Sequence, residues 1–187
     1  MQLQHVNIKI FVDGDLQIDL QRIIEVFHRW TAEQSMDEML IDVADYRHVP
    51  AGPGIVLVGH EADYALDNAG NLLGLLYNRK AAIDGSNADR FRQALAAASK
   101  ACDLLEDEFP GQLRFNRKEF ELIINDRAFA PNTAETFESC KPELKAFLGE
   151  LGQTDAELNH NAESRRRFTV NVKLSEPLAA SSYTPAD

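Results

Sequence analysis

Ile55-Val56-Leu57-Val58, then Ala62 to Leu66, the turn Asp67-Asn68-Ala69-Gly70-Asn71, and Leu72-Leu73-Gly74-Leu75-Leu76-Tyr77 decide the fold class. The first four residues are continuously apolar, as in a strand covered on both faces. The next two runs flank a five-residue turn and read as a hairpin. No helix-length segment separates these strands, so the middle of the chain is strand-rich and antiparallel rather than a parallel βαβ array, whose crossovers need a dozen or more residues.

Before this block, Met39 to Tyr46 reads as a strand with Met39, Ile41 and Val43 on one face. The loop His48-Val49-Pro50-Ala51-Gly52-Pro53-Gly54 follows it, since Pro and Gly at this density stop a helix or a central strand. Further back, Val6, Ile8, Ile10 and Val12 alternate with period two, ended by Asp13-Gly14-Asp15. Leu20, Ile23, Ile24 and Phe27 then mark an amphipathic helix from about 16 to 34, which Trp30 anchors.

After the block, Ser86 and Asn87 supply an N-cap for a helix of about 20 residues carrying Phe91, Leu95, Ala98, Cys102, Leu105 and Phe109, stopped by Pro110-Gly111. Leu113 to Asn125 is extended, with a break expected near Asn116-Arg117-Lys118. Asn132 with Glu135 resembles a capping box opening a third helix, in which Pro142 predicts a kink or two short helices. Residues 152–164 read as a polar, mobile connection, and Arg167 to Leu174 as a strand with Phe168, Val170, Val172 and Leu174 facing in. The expectation is a two-layer α+β sandwich: a mixed, mostly antiparallel sheet with about three helices on one face, ferredoxin-like or related, in a single domain over 1–174 with a disordered tail over 175–187.

The chain has 187 residues and a formal net charge of −11. Residues 1–67 hold 12 acids and 4 bases, so most of the excess lies in the first third. This field disfavours nucleic acid and anionic membranes. No apolar run approaches the length of a membrane span, the N-terminus lacks a signal-peptide pattern, and two cysteines are too few for a disulfide framework, which predicts a cytoplasmic protein. G-x-G-x-x-G, Walker, G-x-S-x-G and H-E-x-x-H motifs are all missing.

Candidate chemistry sits in four places. His60, Glu61 and Asp63 put an imidazole and two carboxylates within four residues, a possible set of divalent-metal ligands, although regular strand alternation separates His60 from the acids. The bland reading is a structural histidine beside surface acids. Asp45, His60 and Asp126 continue the apolar faces of three strands, where partial burial tunes acid/base groups, so they are candidate catalytic residues if their rims meet. The short link from Tyr46 to Gly54 argues that Asp45 and His60 lie at opposite ends. Arg47 and His48 in the Pro/Gly loop, with Arg79 and Arg127, are candidate ligand-binding residues.

Basic residues recur at Arg79-Lys80, Arg90/Arg92, Arg114, Arg117-Lys118, Arg127 and Arg165-Arg166-Arg167, mostly placed to pair with neighbouring acids. An anion site, if the protein has one, draws its cations from 79–127 or 165–167 and its carboxylates from the first third. Cys102 and Cys140 fall on apolar helix stripes and read as core. The reading these features favour is a binding protein without catalysis, homo-oligomeric, taking a small molecule or a protein partner and no cofactor. The alternative is a metal-dependent or acid/base enzyme centred on His60.

Overall fold

Among the described residues eight strands pair edge to edge and three α-helices cover one side of them. The computed structural model describes residues 2–163 and 165–178. In chain order the elements are β1 (Val6–Val12), α1 (Leu20–Glu33), β2 (Leu40–Tyr46), β3 (Gly54–Gly59), β4 (Ala62–Asp67), β5 (Gly74–Arg79), α2 (Asn87–Glu108), β6 (Phe115–Ile124), α3 (Ala134–Glu150), β7 (Glu157–His160) and β8 (Phe168–Lys173). The sheet order is β2-β3-β4-β5-β1-β6-β8-β7. All pairings among the described residues are antiparallel, so the sheet is not mixed, and its eight strands exceed the ferredoxin-like βαββαβ unit.

Register explains the layers. Val43, Leu57, Tyr64, Tyr77, Ile8, Leu122, Val170 and His160 form one row across all eight strands. That row faces the helices: α1 lies over β2 and β3, α2 over β1 and β5, and α3 against α2 and β7. The two-layer α+β sandwich is thus formed, with one continuous apolar cluster from Leu3 to Leu178. Among the described residues no helix is long and apolar enough to cross a membrane.

Several local expectations are corrected. In β2, Leu40 is buried whereas Met39 and Ile41 are exposed, because the register shifts between Leu40 and Asp42. The bulge inverts the alternation, so Leu40 and Val43 face the helices although they are an odd number of residues apart. In β6, Ile10 pairs with Phe120 but Val12 with Phe115, a bulge that falls at Asn116-Arg117-Lys118, where the break is expected. Thr133, not Asn132, caps α3 by accepting from the Thr136 N–H, and α3 runs continuously through Pro142 rather than as two helices. The connection 152–164 contains strand β7, a four-residue edge strand with Leu158 as its one apolar residue. Residues 175–178 are described and Leu178 is buried, its N–H donating to the Arg117 carbonyl. The remainder of the expected tail, 179–187, lies outside the described residues.

Candidate functional site

The sheet face away from the helices carries a second row: Ala44, Val56, Ala65, Leu76, Lys9, Glu121, Asn171 and Asn159. A charged residue on a helix-free face is ordinarily solvated, yet Lys9 is 3% and Glu121 6% exposed. Lys9 reaches from β1 across β5 to Asp67 at the end of β4, with Nζ 2.5 Å from Oδ2. Gly74 makes the crossing possible. A Cβ there would lie 3.1 Å from Lys9 Cε and 2.6 Å from the Ile10 carbonyl oxygen. Asp67 Oδ2 also accepts the Ala69 N–H at 3.3 Å, which fixes the short turn after β4.

What covers these groups is the segment between β7 and β8. Asn132 Nδ2 donates to the carbonyls of Asn161 and Glu163, tying that segment to the start of α3. Arg166 Nη1 lies 3.4 Å from Glu121 Oε1. Arg127, in the turn after β6, donates to the Arg165 carbonyl at 2.8 Å. The result is a recess of about 220 Å³ lined by Lys9, Asp67, Glu121, Thr169 and the four arginines Arg127, Arg165, Arg166 and Arg167.

Its electrostatics are unbalanced. Asp67 is matched by Lys9 and Glu121 by Arg166, which leaves Arg127, Arg165 and Arg167 without an ion-pair partner among the described residues. Arg167 makes no side-chain hydrogen bond there. Burial holds its pKa below the ordinary guanidinium value; Asp67 opposes that shift, and the like charges of Arg127 and Arg166 add to it. A guanidinium so placed stays charged, and its positive field is directed into a partly dehydrated space.

The other sequence candidates are dispersed. Asp45 lies near the Tyr46 end of β2, opposite Ile55, whereas His60 follows the far end of β3, where Gly59 pairs with Leu40. Asp126 follows β6 at the His60 end, but β4, β5 and β1 intervene, about 19 Å at normal strand spacing. The three rims therefore do not meet. Asp45 is held by the Arg47 guanidinium, Nη2 to Oδ2 2.7 Å, and this hydrogen bonding lowers its pKa to about 2. Asp126 accepts the Phe129 N–H and caps its own turn.

His60 and Glu61 form the two-residue tip of the β3–β4 hairpin, with His60 Nδ1 3.3 Å from Glu61 Oε1. Asp63 points instead to Lys80, at 2.7 Å. Among the described residues no group of three or more His, Cys, Asp or Glu is placed to hold a metal ion. His48 is exposed beside Tyr46. Arg47 lines a separate, mostly aliphatic recess of about 230 Å³ with Leu16, Leu20, Val49 and Leu73.

Arg79 belongs to a buried cluster on the helix side. Its Nη1 is 3.7 Å from Glu38 Oε1, and Glu38 accepts from the hydroxyls of Tyr64 at 2.5 Å and Tyr77 at 2.8 Å. Burial, with Glu38 adding to it, raises both tyrosine pKa values. The cluster braces α2 against the sheet through Gln93, whose Nε2 donates to the Tyr77 hydroxyl at 2.7 Å.

Of the sequence candidates only Arg127 lines the basic recess. Its other arginines come from 165–167 and one carboxylate, Asp67, from the first third. Lys9, Glu121 and Thr169 carry no signal in the sequence, because each occupies the outward phase of a strand and looks like an ordinary solvated residue. No protein-family model, curated protein or solved structure matches the chain.

Proposed function

We propose that this chain is a small-molecule-binding protein whose ligand is an anion seated in the basic recess on the helix-free face. The observation that carries this reading is the uncompensated charge: five cations converge on 220 Å³ with only two carboxylates. Elsewhere the described arginines are largely paired, as Arg29 with Glu108, Arg47 with Asp45, Arg92 with Glu150 and Arg117 with Glu106. On a chain of net charge −11, a local positive excess runs against the global field, so it also attracts anions selectively to one place. Guanidinium forks suit phosphate and carboxylate, which they bind through paired N–H donors. We place the protein in the cytoplasm, which its two unpaired buried thiols support.

The test is titration calorimetry of the purified protein with inorganic phosphate at low ionic strength. Saturable binding at one site is expected, weakened about tenfold or more in Arg167→Gln by loss of a charge-assisted hydrogen bond. A flat titration, or equal affinity in the variant, would sink the reading.

A further inference from the structure

The two acids in the recess narrow the ligand further than positive charge does, an inference that rests on the anion-binding reading. Asp67 and Glu121 are 4% and 6% exposed. Asp67 accepts Lys9 and the Ala69 N–H through Oδ2, and Glu121 accepts Arg166 through Oε1. The other oxygens, Asp67 Oδ1 and Glu121 Oε2, accept no hydrogen bond from the described residues. Neither oxygen is buried as an atom, so both reach solvent and are open to a further donor, whereas an anionic group that brings no donor is repelled by them. A ligand that brings hydroxyl donors alongside its anionic group satisfies both the free guanidinium N–H groups and the free carboxylate oxygens.

Charge and size agree on the rest. Three unmatched arginines call for more than one negative charge, and a phosphomonoester carries about −1.5 to −2 at pH 7. A space of 220 Å³ holds about seven water molecules at about 30 Å³ each, and lies below the range of about 300 to 1,000 Å³ usual for larger ligands. We propose that the recess recognises the phosphomonoester of a small polyol, the arginines taking the phosphate and Asp67 with Glu121 accepting its hydroxyls. The same chemistry occurs as a free ester and as a lipid headgroup. The free ester is the favoured source, because the acidic surface of the chain repels an anionic bilayer.

The experiment compares glycerol 3-phosphate, ethyl phosphate and inorganic phosphate by calorimetry on the full chain. Glycerol 3-phosphate is expected to bind about tenfold more tightly than ethyl phosphate, which offers the same charge without hydroxyls. In Glu121→Gln, checked for native folding by circular dichroism, that preference falls to about twofold while ethyl phosphate binds at least as well as before. Equal affinity of the two esters for the unmodified protein overturns the polyol assignment but leaves anion binding standing, and no binding by any of the three removes the reading beneath it. The ligand series on the unmodified protein decides the matter even if the variant fails to fold. Protein left in the supernatant after sedimentation with vesicles of phosphatidate and phosphatidylcholine supports the free ester; co-pelleting overturns that choice.

Discussion

Lys9 is the residue on which the helix-free face depends. Its ammonium and the Asp67 carboxylate are both nearly excluded from water, so each is tolerable only because of the other. Lys9→Met removes one partner and is expected to cost about 3 to 5 kcal/mol in urea denaturation, whereas adding Asp67→Leu to it recovers most of the loss, since an apolar pair leaves no stranded charge. If the single variant is as stable as the parent, the pair is not desolvated in solution.

Cys140 gives a residue-level dependence on pH. Burial, with Glu143 adding to it, pushes its thiol pKa up to about 11 from an ordinary value of 9. The folded state therefore holds this proton more tightly than the unfolded chain. The stability that follows is complete below pH 9 and is lost as the pH rises through 11. Urea melts between pH 8 and 11 should show this alkaline loss, and Cys140→Ala should reduce its slope, the remainder coming from the other buried groups whose pKa values burial raises. Native protein at pH 8 should also leave both thiols unreacted with a disulfide reagent, because Cys102 is raised by burial too.

At the scale of elements, the edges matter most. β2 is an edge strand with exposed apolar side chains at Ile41 and, just before it, Met39, the combination that invites pairing with another chain. Asp42 and Asp45 interrupt it with charge. Asp42→Val is therefore expected to raise the apparent mass in light scattering at a concentration where the parent is unchanged, and an unaltered elution profile would remove the protective role of that carboxylate. The bulge next to Asp42 also breaks the alternation of β2: period-two logic assigns Met39, Ile41 and Val43 to one face, but one extra residue sends the first two outward. β7 has no hydrophobic signature for a different reason. Glu157, Leu158, Asn159 and His160 lie at an edge, where only one face is covered, and pairing with β8 rather than a hydrophobic pattern holds them extended.

For the whole molecule, ligand binding and stability are linked. Phosphate at a hundred times its dissociation constant adds about 2.7 kcal/mol to the folded state. For a chain of this size that raises Tm by about 5 to 11 °C. At the same phosphate concentration the shift should fall to about half or less in Arg167→Gln and shrink in 0.5 M sodium chloride; a parent protein whose Tm ignores phosphate would contradict the site.

Local pattern alone determined the strands β1, β3 to β6 and β8, the helices α1 to α3 and their apolar faces, because burial against a neighbouring layer requires periods of two and 3.6 whatever the neighbour is. It also placed the arginine-bearing stretches around 127 and 165–167 and the acid-rich first third. Only the tertiary structure decided that Lys9, Asp67 and Glu121 share one space with those arginines. Their convergence depends on the sheet order, on a glycine at position 74 that lets a lysine cross a strand, and on a segment folded over the outward face. Those are relations between residues as far as 158 positions apart, and hydrophobic periodicity, which reports only whether a side chain is covered, carries no record of what covers it.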